Sequence, residues 1–193
     1  MMINRFLVIS ILILVSSLAV NWLLEEPEKQ ALISTRNDPD LYMLNATIKQ
    51  FGDGGELQHT LSAERFTHFP LTDLTTMQAP RIELGPGDKT KNWDISAREG
   101  RLLSESLYRE EIIELWSDVL VDQSGAGDQF VLIQTSSLTV YPERNYAETD
   151  EKVYIDSLTG RTTAAGMKAF LDTGRFQFFS NQQERVLTIF LPE

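Results

Sequence analysis

From Tyr42 onward the chain alternates apolar and polar positions in short runs divided by turn residues, the period-two signature of strands with one face in a core and one in water. Leu57, His59, Leu61 and Ala63 alternate with Glu56, Gln58, Thr60 and Ser62; Ile82 and Leu84 alternate with Arg81 and Glu83; Trp93, Ile95 and Ala97 alternate with Asn92, Asp94 and Ser96. Charged Arg98-Glu99-Gly100-Arg101 closes that third run. Gly52-Asp53-Gly54-Gly55 predicts a hairpin turn, because glycine accepts the positive φ such turns require, and Gly85-Pro86-Gly87-Asp88 predicts a second. A denser apolar run, Ile112 to Val121, ends at Gln123-Ser124-Gly125-Ala126-Gly127-Asp128. Further strands are predicted at Phe130 to Tyr141, Lys152 to Ile155, Thr162 to Leu171, Phe176 to Phe179 and Arg185 to Leu191. Only Leu103 to Leu115 has a spacing that passes for a helix, and it lacks a convincing cap. The pattern predicts an all-β antiparallel sandwich. Leu61-Ser62-Ala63, Ile95-Ser96-Ala97, Ile133-Gln134-Thr135 and Thr163-Ala164-Ala165 recur as similar strand centres, as successive two-strand units of one sheet system would.

The start of the chain obeys a different rule. Phe6 to Leu24 carries no charge and is dominated by Leu, Ile, Val and Phe. As a helix it covers about 28 Å, close to the hydrocarbon thickness of a bilayer. Arg5 flanks one end and Glu25, Glu26 and Glu28 the other, so the positive end is expected in the cytoplasm and everything after residue 24 outside. The competing reading is a cleaved signal peptide. That calls for a shorter apolar region and a small-x-small cleavage site, whereas Trp22-Leu23-Leu24 run straight into glutamates. The expected organisation is therefore an anchor over 1–24, a polar, proline-interrupted linker over 25–40 and one β domain over 41–193.

Composition narrows the function. All 28 acidic residues and all but one of the 17 basic ones lie beyond the anchor, which makes the exported part more acidic than the −11 of the whole chain. Such a surface repels nucleic acid. The absence of cysteine excludes disulfides and thiol chemistry. His59 and His68 lack the further ligands a zinc site needs, no Gly-x-Ser-x-Gly elbow marks a nucleophile, and Gly85-Pro86-Gly87-Asp88-Lys89-Thr90 lacks the spacing of a phosphate loop. The cluster Glu148, Asp150 and Glu151 reads as a solvated loop rather than a calcium site, and Asn45-Ala46-Thr47 is a sequon too short to mean much alone. No catalytic residue, metal ligand or cofactor is assigned. The C-terminal run Val186-Leu187-Thr188-Ile189-Phe190-Leu191 is either paired on both sides within the core or a sheet edge awaiting another strand.

Pro39-Asp40-x-Tyr42, Gly55-Glu56-Leu57 and the stretch from Leu61-Ser62-Ala63-Glu64-Arg65-Phe66 to Thr67-His68-Phe69-Pro70 combine with Ala79-Pro80 and the N-terminal span. Together with Trp93-Asp94-Ile95-Ser96-Ala97-Arg98-Glu99-Gly100, Leu132 to Thr135, Leu138 to Pro142, Ala147 to Asp150 and Gly166-Met167-Lys168-Ala169, they resemble the LptC family of lipopolysaccharide export over nearly the whole chain. The resemblance implies an inner-membrane anchor and a periplasmic β-jellyroll, an open, V-shaped antiparallel sandwich that holds lipid A acyl chains. It implies receipt of lipopolysaccharide from the LptF jellyroll of the LptBFG transporter, passage to LptA, an anchor beside LptF and LptG helices, and ATP hydrolysis by LptB rather than by this chain. Under it, Val186, Leu187, Thr188, Ile189 and Phe190 dock LptA, and strands near Tyr42 to Phe51 meet LptF. Alternation nominates as lining of the lipid slot Met77, Ile82, Leu84, Trp93, Ile95, Leu115, Val119, Leu138, Val140, Val153, Ile155, Phe176, Phe178 and Phe190. Two other classes compete: an anchored periplasmic enzyme acting on envelope glycans or lipids, with a motif-free carboxylate pair, and a structural sandwich that binds partners and no lipid.

Overall fold

The computed structural model describes residues 37–52, 54–85, 91–125 and 130–191. The anchor, the linker up to residue 36 and the Pro86-Gly87-Asp88 part of the second turn lie outside the described residues. Among the described residues no helix is long and apolar enough to cross a membrane.

Among the described residues, fourteen antiparallel strands follow one another: β1 (Leu41–Phe51), β2 (Leu57–Phe69), β3 (Leu74–Gln78), β4 (Arg81–Leu84), β5 (Lys91–Ser96), β6 (Glu99–Leu103), β7 (Ile112–Gly125), β8 (Phe130–Tyr141), β9 (Tyr146–Thr149), β10 (Val153–Ser157), β11 (Gly160–Ala164), β12 (Gly166–Phe170), β13 (Arg175–Phe179) and β14 (Leu187–Phe190). A 3-10 turn, Pro142–Arg144, joins β8 to β9. The strands form one hydrogen-bonded sheet creased across its middle, so that its two halves face each other. Four long strands, β1, β2, β7 and β8, cross the crease and belong to both halves. The second half of β2 pairs with β3 and its first half with β4; the first half of β7 pairs with β6 and its second half with β5; β8 pairs with β10 early and with β9 late. One half-sheet therefore runs β1-β2-β3-β6-β7-β8-β9-β12-β13, and the other β1-β2-β4-β5-β7-β8-β10-β11-β14.

The crease is built from backbone that ordinary strands avoid. Asn45, Ala79, Ser117 and Asp118 all have positive φ, a conformation that costs an L-residue roughly 1 kcal/mol or more. In β7, Ser117 and Asp118 oppose one residue of β8, a bulge between the pairs Trp116↔Ser137 and Val119↔Thr135 that bends the strand from one half-sheet into the other. The main-chain ladder continues through these corners: Ala79 N–H donates to Arg98 O at 2.7 Å, and Arg98 N–H to Ser117 O at 2.9 Å.

The structure refines the sequence expectations at several places. The expected strand Thr162 to Leu171 is two strands, because the chain turns at Ala165 and passes from one half-sheet to the other. Arg98-Glu99-Gly100-Arg101 follows the end of β5 as expected, but only Arg98 is at the corner, and Glu99, Gly100 and Arg101 already belong to β6. Of the recurring triplets, Leu61-Ser62-Ala63 and Ile133-Gln134-Thr135 are internal to β2 and β8, whereas Ile95-Ser96-Ala97 and Thr163-Ala164-Ala165 run past the ends of β5 and β11; Ala63, Ala97, Thr135 and Ala164 stand at the crease. Leu103 to Leu115 is not helical: it holds the end of β6, a tight Ser106–Arg109 bridge and the start of β7.

Candidate functional site

Directly paired residues of neighbouring strands share a face, so the register defines what lines the interior. In one half-sheet an unbroken row runs Ile48, Leu61, Ile82, Ile95, Val121, Ile133, Ile155, Thr162, Thr188. In the other, Phe66, Met77, Gly100, Leu115 and Leu138 form one row and Leu102, Ile113, Val140, Ala147, Ala169 and Phe176 a second. Gly100 interrupts the first because a Cβ there would lie 2.9 Å from a Leu115 methyl and 3.1 Å from the Met77 methyl. The result is a largely apolar interior in which, among the described residues, the buried polar side chains are His59, Thr75, Thr135 and Thr149.

Of the residues nominated from alternation, Met77, Ile82, Leu84, Trp93, Ile95, Leu115, Val119, Leu138, Val140, Val153 and Ile155 all belong to this inward-facing cluster. Ile82, Ile95, Val140 and Val153 have no exposed surface at all. Phe176 and Phe178 are half-buried at the last strand of their half-sheet, with rings stacked at 6.2 Å. Phe190 pairs with Gly160, on the inner side of β14, and is 78% exposed. Val186 lies just outside β14; Leu187 and Ile189 face outward and are also exposed. Among the described residues β14 pairs with β11 alone, a sheet edge, and β1 pairs with β2 alone, an edge at the other end that exposes Tyr42 and Leu44.

Opposite the crease the two half-sheets meet in a mouth. Trp93 Nε1–H donates to Leu171 O at 3.0 Å, and its ring meets Phe176 edge-on at 5.9 Å. His59, 3% exposed, holds Nε2 3.1 Å from Glu111 Oε1, an ion-pair separation without hydrogen-bond alignment. A cavity of about 480 Å³ lies over this mouth, with Glu56, Leu57 and Trp93 on one bank and Pro142, Glu143 and Leu171 on the other.

A family model described as LptC, lipopolysaccharide-assembly, LptC-related, matches residues 7–185. The chain belongs to this LptC-related family. Its role is accordingly in lipopolysaccharide transport. The crystal structure of LptH from Pseudomonas aeruginosa, the LptA-homologous periplasmic component of a lipopolysaccharide transport device, superimposes with a TM-score of 0.55 at 6% identity, covering 69% of this chain and 95% of that one. At that identity the likeness speaks for the fold: an all-β antiparallel jellyroll. No curated protein sequence matches the chain.

Sequence reasoning missed several residues that this LptC-related interior contains. Leu61 and Ile133 were visible as the first members of the recurring triplets, and Phe66, Ile113, Val121 and Met167 by alternation within their own runs. His59 carried no signal beyond an apolar-parity position, because its partner Glu111 is distant in sequence and on the other bank of the mouth.

Proposed function

We propose that the chain is a membrane-anchored lipid conduit whose jellyroll interior shelters the acyl chains of lipopolysaccharide, received from the LptF jellyroll of LptBFG and passed to LptA. The N-terminal segment Phe6 to Leu24 serves as the inner-membrane anchor, with 25–40 as linker and 41–193 as the periplasmic domain. The reading rests above all on the apolar rows that line the inner face, one running from Ile48 of β1 to Ile155 of β10 and another from Leu102 of β6 to Phe176 of β13. An acyl chain of about thirteen methylenes costs on the order of 10 kcal/mol to expose to water, at roughly 0.8 kcal/mol per methylene, so a carrier must supply a continuous apolar lining. Main-chain hydrogen bonding at unpaired edges is the established physical route by which one sheet adds to another, and β1 and β14 each offer one. On this reading β1 meets LptF and Val186 to Phe190 meet LptA.

The test is site-specific photo-crosslinking in a working transporter. Probes at Met77, Phe178 and Phe190 are expected to capture lipopolysaccharide, and capture at none of the three sinks the assignment of the inner face as the lipid path. The enzyme alternative predicts hydrolysis of envelope glycans or lipids by the purified chain, and no such turnover is expected.

A further inference from the structure

The half-sheets are joined differently along their two long sides. At the crease they share four strands and a main-chain ladder. On the opposite side every described connection returns to its own half-sheet, and what spans the gap is side chains: Trp93 of β5 on Leu171 O beyond β12, and His59 of β2 against Glu111 before β7. That closure is incompletely satisfied. His59 Nδ1 and Glu111 Oε1 are buried without a hydrogen-bond partner, so parting the mouth returns to water two groups whose burial is unfavourable. Main-chain hydrogen bonds thus hold the crease and side-chain contacts hold the mouth, where the Trp93 hydrogen bond is the contact with its geometry fully formed.

We propose that Trp93, with Leu171 opposite and the His59–Glu111 contact beside it, is a clasp that keeps the jellyroll shut along its mouth, and that hydrocarbon reaches the sealed middle of the interior by release of this clasp. The proposal rests on the reading of the interior as an acyl-chain site. Trp93 acts as a positioning residue: it sets the separation of the two half-sheets, while the rows behind it contact the ligand. Behind the clasp, Ile82 and Ile95, central to those rows, have no exposed surface.

Two measurements on the full chain in mild detergent separate the clasp from the ligand. In the first, amide hydrogen exchange is followed in Trp93→Phe, which keeps a ring against Phe176 and removes the N–H donor, and in Glu111→Gln as a milder change. Loss of one net hydrogen bond predicts exchange about tenfold faster at the Leu171 amide, bonded to Asn145 O, and at the Asn145 amide, bonded to Pro142 O. The crease amides of Ala79 and Arg98 stay unchanged. Equal exchange in both variants and the parent overturns the clasp. In the second, exposed Glu56 and Glu143, on opposite banks, are replaced by cysteine in a chain that has none of its own, and a short bis-maleimide locks them together. The locked protein is expected to retain less than one-tenth of the labelled lipopolysaccharide that the unlinked double variant co-purifies. Equal capture by both overturns the mouth as the route and leaves the acyl-chain reading standing. Accelerated exchange with no capture by either form upholds the clasp and overturns the acyl-chain reading.

Discussion

Ile95 illustrates how tightly single residues are held. It pairs with Ile82 on one side and Val121 on the other, and no part of it reaches solvent. Truncation to alanine removes several buried carbons from a site flanked by β-branched neighbours that have little freedom to collapse inward. Ile95→Ala is expected to lose about 2–5 kcal/mol, read as a drop in the urea midpoint without a change of slope. His68 sets a pH dependence at the same scale. Its Nδ1 lies 2.7 Å from Asp40 Oδ1 and its Nε2 3.6 Å from Asp73 Oδ1. The Asp40 hydrogen bond, above all, raises its pKa over the ordinary 6.5, against a smaller desolvation effect. Because the folded pKa exceeds the unfolded one, the imidazolium's contribution is complete below pH 6.5 and fades as pH rises through the folded value. The urea midpoint is therefore expected to fall between about pH 6 and pH 8 by more in the parent than in His68→Gln, and equal falls refute the assignment.

At the level of elements, the crease and the last strand decide the architecture. Gly160 has φ +150° and sits where an added Cβ would lie 2.2 Å from Ile189 O, so β11 and β14 approach this closely only with glycine there. Gly160→Ala is expected to detach β14, most of whose side chains are exposed, while leaving the core intact: early exchange of the Leu187 to Phe190 amides, loss of strand-mediated docking, and a modest change in midpoint. The strands themselves were legible from alternation because most have one inward face and one wet face, as β4 does with Ile82 and Leu84 against Arg81 and Glu83. The crease was legible only as an echo. Leu61-x-Ala63, Ile95-x-Ala97 and Ile133-x-Thr135 share a large residue one step from the corner and a small one at it, a spacing set by how quickly the sheets diverge. Thr163-Ala164-Ala165 is out of step with them by one residue: Thr163 faces outward, opposite Tyr154, and Ala164 takes the corner. The split of the stretch from Thr162 to Leu171 stayed hidden for the same reason, since Ala164, Ala165 and Gly166 read as an uninterrupted small-residue strand until pairing shows the chain changing halves. The mouth was invisible to sequence altogether, because Trp93 and Leu171 are 78 positions apart and the acceptor is a main-chain carbonyl.

For the molecule as a whole, sharing β1, β2, β7 and β8 between halves ties the two half-sheets together along the crease, so that any parting of them is confined to the mouth. Access to its interior is then graded by position rather than uniform. Phe178 and Phe190 stand at the last strands, already partly or largely exposed, whereas Ile82 and Ile95 are sealed behind the mouth. Under the conduit proposal, crosslinking probes at Phe178 and Phe190 capture lipopolysaccharide whether or not the mouth is locked through positions 56 and 143. Probes at Leu115 and Leu138, in the middle of the facing half-sheet, capture it only when the lock is absent. A ligand that threads in from one end produces the opposite pattern, in which the lock changes nothing and capture falls off with distance from β13 and β14. The ratio of middle to end capture, with and without the lock, therefore distinguishes a trough that opens sideways along its whole length from a tube filled from its end.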